Sequence, residues 1–132
     1  MFSERKHKEK KIKVIIADDH KGMRQGLVKM ISCHSDIQVI GEAANGPEVI
    51  ELARRLNPDL ILMDISMPGI DGIEATRIVK AEMPKVRVIG LSMFEDEQME
   101  QEMLQLGAEA FISKASSIQE ILKAIYGYSY KT

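Results

Sequence analysis

Asp18 and Asp19, Asp64, Ser92 and Lys114 each stand at the end of a short apolar run: VIIA, LILM, VIGL and AFIS, respectively. Brought to one place, they form a cluster of three carboxylates, a hydroxyl and an ammonium. Crowded carboxylates repel one another and raise their own pKa values unless a cation neutralises them, so a hard divalent ion is implied. Mg2+ suits oxygen ligands and keeps several waters, so two carboxylates and a backbone carbonyl would be a reasonable protein share of its shell. With that ion in place, one carboxylate can attack a phosphoryl group in line while metal and ammonium offset charge on the equatorial oxygens. The product is an aspartyl phosphate. Singly, each residue could be a helix cap or a solvated lysine; the joint placement carries the reading.

That placement depends on the elements between. From Ile12 onward, short continuous apolar runs (IKVIIA, IQVIGEA, DLILM, VRVIGLS and AFIS) alternate with amphipathic segments. This is the pattern of a parallel sheet covered by helices on both faces. Met23, Leu27, Met30 and Ile31 share one helical face, as do Val49, Ile50, Ala53 and Leu56; Ile118, Ile121, Leu122 and Ile125 form a third stripe. Asn57-Pro58 stops the second helix, Met83-Pro84 the third and Gly107 the fourth, while Ser116 or Ser117 caps the fifth. GEAANG, residues 41–46, reads as a turn. Gly22 and Gly26 on the first helix suggest close packing against a neighbour. Five βα units over residues 12–126 give an open α/β sandwich, and right-handed crossovers favour the strand order 2-1-3-4-5. Ligands of such a sheet bind beyond the carboxyl ends of the strands, where the polar cluster falls.

Several classes of function are excluded. No uncharged stretch exceeds seven residues, whereas a membrane-spanning helix needs about 20 apolar ones. The leader MFSERKHKEKK has no apolar core behind its positive charges and cannot be a secretory signal, so a cytoplasmic location is expected. Cys33 is alone, and His7, His20 and His34 lack spacing such as HxxxH, which argues against disulfides and zinc cages. Residues 1–11 carry five Lys/Arg against two Asp/Glu and are expected to be solvated and disordered. The remainder has a net charge of −5 and is no nucleic-acid binder by charge. Strand 1 runs into DDHKGMRQG, with neither GxGxxG nor GxxxxGK[ST], and no GxSxG elbow exists.

The segments VIIADDH, DLILMDISMPGIDGIEATR, VIGLSMF and GAEAFISKAS, in this order and spacing, resemble the receiver domain of two-component response regulators. The match runs from Ile12 to about Tyr126, with a linker or tail expected over 127–132. ADDHKGMRQGL, IGEAANG and LMDISMPGIDGIEATR further resemble the NarL/FixJ, or LuxR-type, subgroup. The resemblance implies a flavodoxin-like (βα)5 fold with Asp64 as phosphoacceptor. It implies that Asp19, Asp64 and the backbone carbonyl of Ser66 hold Mg2+, with Asp18 reaching the metal through water. Lys114 and Ser92 would engage phosphoryl oxygens, and Phe111 would swing inward when Ser92 moves. Ser66, Met93 and Phe94 would flank the acceptor, where the family tunes hydrolysis.

The partners implied are a sensor histidine kinase as phosphoryl donor and, through a helix-turn-helix domain absent from this chain, DNA. A homodimer through the first and fifth helices, near Met30, Ile121 and Ile125, is also implied, or one through the face of the fourth helix, fifth strand and fifth helix. Met99 and Met103, one turn apart, read as core or as an adaptable contact surface. The receiver would be no enzyme beyond its own phosphorylation and slow dephosphorylation. One departure is Ala115 after Lys114, where most receivers have Pro, often in a cis bond that costs a non-proline residue about 2.5–4 kcal/mol. A stand-alone receiver is one alternative. A metal-dependent phosphatase with an Asp nucleophile is another, disfavoured because Ser66 occupies the place of its second carboxylate.

Overall fold

A computed structural model describes residues 10–67, 69–93 and 96–127. The elements alternate along the chain: β1 (Ile12–Ala17), α1 (Lys21–Ser32), β2 (Ile37–Ala43), α2 (Gly46–Leu56), β3 (Leu60–Asp64), α3 (Gly72–Glu82), β4 (Arg87–Ser92), α4 (Glu97–Gln105), β5 (Ala110–Ser113) and α5 (Ile118–Tyr126). The strands pair in parallel in the order β2-β1-β3-β4-β5. The expected α/β sandwich is therefore present. The expectations for residues 1–9, Phe94 and residues 128–132 lie outside the described residues.

β3 is buried at all five positions, which is why LILMD reads as a continuous run. Successive side chains point to opposite faces of the sheet and build two cores. On one face, Ile15, Ile61, Met63 and Val88 pack against Val49 and Ala53 of α2, Ala75 and Val79 of α3, and Met103 of α4. On the other, Val14, Ile16, Leu60, Leu62, Ile89 and Leu91 pack against Leu27 and Ile31 of α1 and Ile121, Leu122 and Ile125 of α5. Side chains cap four helices by accepting backbone N–H groups: Asn45 from Glu48, Asp71 from Glu74, Asp96 from Gln98 and Met99, and Ser117 from Glu120. The fifth helix therefore takes Ser117, not Ser116, as its cap.

Several expectations need correction. Gly41–Ala43 complete β2 rather than open a turn, because Gly41 and Ala43 pair with Ile15 and Ala17 of β1. Of the α1 stripe, only Leu27 and Ile31 are buried; Met23 and Met30 are exposed. Gly22 and Gly26 would leave a Cβ in open space, so they serve no close packing. Ile121 and Ile125 are core residues of α5, and Met30 alone of the three suggested interface positions faces solvent. Met103 is buried and Met99 exposed, so the pair divides between core and surface.

Candidate functional site

Parallel strands end at a common edge, and there the chain delivers its polar residues. Asp18 follows β1, Asp64 and Ser92 are the last residues of β3 and β4, and Lys114 follows β5. Backbone hydrogen bonds stitch these ends together: Asp18 N–H donates to the Ala43 carbonyl (2.9 Å), Ile65 N–H to Leu91 (3.1 Å) and Lys114 N–H to Ser92 (2.7 Å). Among the described residues no peptide bond is cis, so the Lys114–Ala115 bond is trans. The turn after β5 closes by Ser116 N–H donating to the Ser113 carbonyl at 3.0 Å.

Lys114 Nζ lies 3.1 Å from both Asp18 Oδ2 and Asp64 Oδ2, and the two carboxylates are fully buried. Neither approach has the alignment of a directed hydrogen bond, so these are contacts between charges. The other oxygen of each carboxylate is fixed locally, since Asp18 Oδ1 accepts His20 N–H (2.9 Å) and Asp64 Oδ1 accepts Ser66 N–H (3.1 Å). Burial pushes the Asp64 pKa above its ordinary value, opposed by the Ser66 N–H and the Lys114 ammonium and reinforced by the Asp18 charge. Asp19 is partly open to solvent.

Asp18, Asp19, His20 and Asp64 each offer a ligand atom, all within 4.8 Å of one another. Three carboxylates against one ammonium leave excess negative charge, and Asp18 Oδ2 and Asp64 Oδ2 are buried without directed partners. A hard divalent cation fits this oxygen-rich set. Ser92 is buried at the end of β4. Ser66 is exposed just beyond Asp64, and Met93 is 53% exposed. Phe111 is half-buried on β5 beside Gly90, where a Cβ would meet its ring at 2.9 Å. Met30 belongs to α1, and Ile121 and Ile125 to α5.

Two residues at the site escaped the sequence reading. Arg24 Nη1 donates to the Asp18 carbonyl (2.6 Å) while its Nε donates to Glu42 Oε1 (3.0 Å), bracing the end of β1 against β2. His20 sets Nδ1 3.2 Å from Asp19 Oδ1. HxxxH spacing looks for a partner histidine, whereas the partners of His20 are carboxylates directly preceding it. Two close approaches fix the loops around the site. A Cβ on Gly46 would meet the Ile70 carbonyl oxygen at 2.1 Å, and one on Gly72 would meet that of Asp64 at 2.2 Å.

Comparison with known proteins agrees with this fold. Residues 14–126 match the family model of the response regulator receiver domain. The response regulator GacA of Pseudomonas aeruginosa is 37% identical over 114 residues, covering 86% of this chain and 53% of the relative. The chain thus spans about half the length of that curated relative. The signal receiver domain of the response regulator NarL from Mycobacterium tuberculosis superposes with a TM-score of 0.82 at 31% identity, covering 89% of this chain and 98% of that one. A LuxR-family response regulator from Staphylococcus aureus superposes with a TM-score of 0.82 at 27% identity, covering 87% and 96%. The chain belongs to the receiver domain family of two-component response regulators, with relatives of the NarL and LuxR type.

Proposed function

We propose that Asp64 is the phosphoacceptor of this receiver and that a sensor histidine kinase supplies the phosphoryl group. The observation that carries the reading is the Asp64 carboxylate at the end of β3, buried beside Asp18 and 3.1 Å from the Lys114 ammonium. A carboxylate oxygen of Asp64 attacks phosphorus, the bond from phosphorus to the donor imidazole breaks, and the leaving imidazole is protonated. Lys114 transfers part of its pairing from Asp64 to a phosphoryl oxygen, and the Ser92 hydroxyl takes another. Asp19, Asp64 and the Ser66 carbonyl, with Asp18 through water, are the residues that would hold Mg2+. When bound, that ion neutralises the cluster and offsets charge on the equatorial oxygens.

Phosphorylation then acts as a population shift: the added charge and oxygens engage Ser92 and Lys114, Phe111 moves inward, and the face of α4, β5 and α5 changes. The similar LuxR-family regulator from Staphylococcus aureus is described as DNA-binding. By that likeness, the receiver controls a carboxyl-terminal DNA-binding domain. Pairing of two copies would use Met30 on α1, or the face of α4, β5 and α5.

The test is intact mass measurement after incubation with acetyl phosphate or phosphoramidate, with Mg2+ and then with EDTA, beside Asp64→Ala. One phosphoryl adduct per chain, dependent on Mg2+ and absent from the variant, is expected. No adduct, or an adduct that persists in Asp64→Ala, would overturn the assignment. Multiple turnover on a phosphomonoester would indicate a phosphatase instead.

A further inference from the structure

We propose that His20 is a nitrogen ligand of the divalent ion held by the acidic cluster and that it biases the site towards transition metals over Mg2+. The proposal rests on reading Asp18, Asp19 and Asp64 as a metal site and goes beyond it in adding a ligand of a different class.

His20 occupies the position that begins α1, yet its side chain makes no capping hydrogen bond. At the other helices the corresponding side chains of Asn45, Asp71, Asp96 and Ser117 are all engaged in capping. The imidazole of His20 turns back to the strand end, placing Nδ1 3.2 Å from Asp19 Oδ1 and 3.4 Å from Asp18 Oδ1. Bonds of roughly 2.0–2.1 Å to an octahedral ion put neighbouring ligand atoms about 3 Å apart and opposite ones about 4 Å apart. The 3.2 Å from His20 Nδ1 to Asp19 Oδ1 matches neighbouring positions of one coordination shell, and all four candidate atoms lie within 4.8 Å of one another.

Two further features point to a ligand. Asp18 Oδ2 and Asp64 Oδ2 are buried and share a single ammonium, Lys114 Nζ, at 3.1 Å from each, which leaves the cluster with excess negative charge. The His20 side chain is 63% exposed, so Nε2 can carry the ring proton into water and leave the Nδ1 lone pair free for a metal. Imidazole suits Ni2+, Zn2+ and Cu2+, whereas carboxylate and water suit Mg2+ and Mn2+. A nitrogen among these oxygens shifts preference along that series without closing the site to Mg2+.

The experiment uses the full chain and its His20→Ala and Asp64→Asn variants, with Mn2+, Ni2+ and Mg2+ as probes. Pulsed electron paramagnetic resonance of the Mn2+-loaded chain is expected to show coupling to an imidazole 14N, and this coupling is lost in His20→Ala. Calorimetry is expected to show the ratio of Ni2+ to Mg2+ affinity falling by about tenfold or more in His20→Ala, since even outer-shell partners of a ligand change affinity by about 10–100-fold. Metal binding abolished by Asp64→Asn but without nitrogen coupling, or with coupling that survives in His20→Ala, would overturn the role of His20 and leave the metal site standing. Failure of the unmodified chain to bind any of the three ions would overturn both.

Discussion

Gly72, the first residue of α3, lies directly against the backbone of Asp64: a Cβ there would stand 2.2 Å from the Asp64 carbonyl oxygen and 2.6 Å from Ile65 Cα. The loop from Asp64 to α3 is further closed by Gly72 N–H donating to the Ile65 carbonyl at 3.1 Å. Backbone, unlike a flexible side-chain tip, cannot step aside cheaply. Gly72→Ala is expected to cost at the upper end of the range of about 1–3 kcal/mol typical of overpacking. Gly26→Ala, into open space on α1, is expected to stabilise by about 0.5–1 kcal/mol through helix propensity. Urea denaturation of both variants checks the contrast, and equal effects would show that the close approach at Gly72 is relieved by movement.

Asp64 carries a folded-state pKa raised above its ordinary value of 3.8, mainly through burial. Between 3.8 and the raised value the native chain binds more protons at this group than the unfolded chain, so its contribution to stability falls as pH rises through that window. Below 3.8 the penalty is absent, and above the raised value it is complete. Asp64→Asn lacks the term but keeps an oxygen for the Ser66 N–H. The stability of Asp64→Asn relative to the unmodified chain should therefore rise across the window and then level off, without added metal. Denaturation midpoints measured against pH test this, and a relative stability that declines as pH rises would contradict it.

Divalent metal should reverse the sign of that comparison. Ions that bind only the folded chain stabilise it by about 2.7 kcal/mol at a free concentration a hundredfold above Kd. Mg2+ is expected to raise the melting temperature of the unmodified chain, EDTA to return it, and Asp64→Asn to show neither change. A matching rise in the variant would place the ion elsewhere.

The fold was legible because β3 and the inner part of β1 are buried on both faces and must be written in apolar residues, while α1, α2 and α5 each carry an apolar stripe at the helical period. The strand-end cluster was legible for the same reason, since a charge that closes such a run stands out. The stripe does not reveal how much of itself the sheet covers. Met23 and Met30 keep the period of Leu27 and Ile31 but lie past the edge of the contact. At Gly41–Ala43, pairing with β1 outweighs a composition that favours turns. Arg24 of α1 reaches the Asp18 carbonyl directly and is held by Glu42, eighteen positions away on β2, and no local pattern announces such a pair.

Thr76 on α3 is fully buried, and its Oγ1 has no hydrogen-bond partner. Val has nearly the same shape and a similar helix propensity, so Thr76→Val removes an unsatisfied hydroxyl without opening a cavity. A gain of about 1 kcal/mol is expected. Thermal or urea unfolding checks it, and a loss of stability would mean that the hydroxyl has a partner in solution.

Arg87 ties the start of β4 to the end of α5. Its Nη2 donates to the carbonyls of Ala124 (3.1 Å) and Ile125 (2.9 Å), while Nε and Nη2 grip Glu109 at 2.8 and 2.6 Å. A cation at a helix C-terminus satisfies carbonyls left without helical donors and complements the helix dipole. Arg87→Met keeps the stem but removes the fork, and is expected to cost about 1.5–3 kcal/mol, the range for hydrogen bonds to a charged group. Arg87→Lys should recover only part of the loss, because one ammonium lacks the planar fork that reaches Glu109 and two carbonyls together. The effect should be local: amide hydrogen exchange should quicken in the last turn of α5, by more than in β1 and β3, where protection follows global unfolding. Equal acceleration throughout the sheet would mean that Arg87 stabilises the whole domain rather than the end of α5.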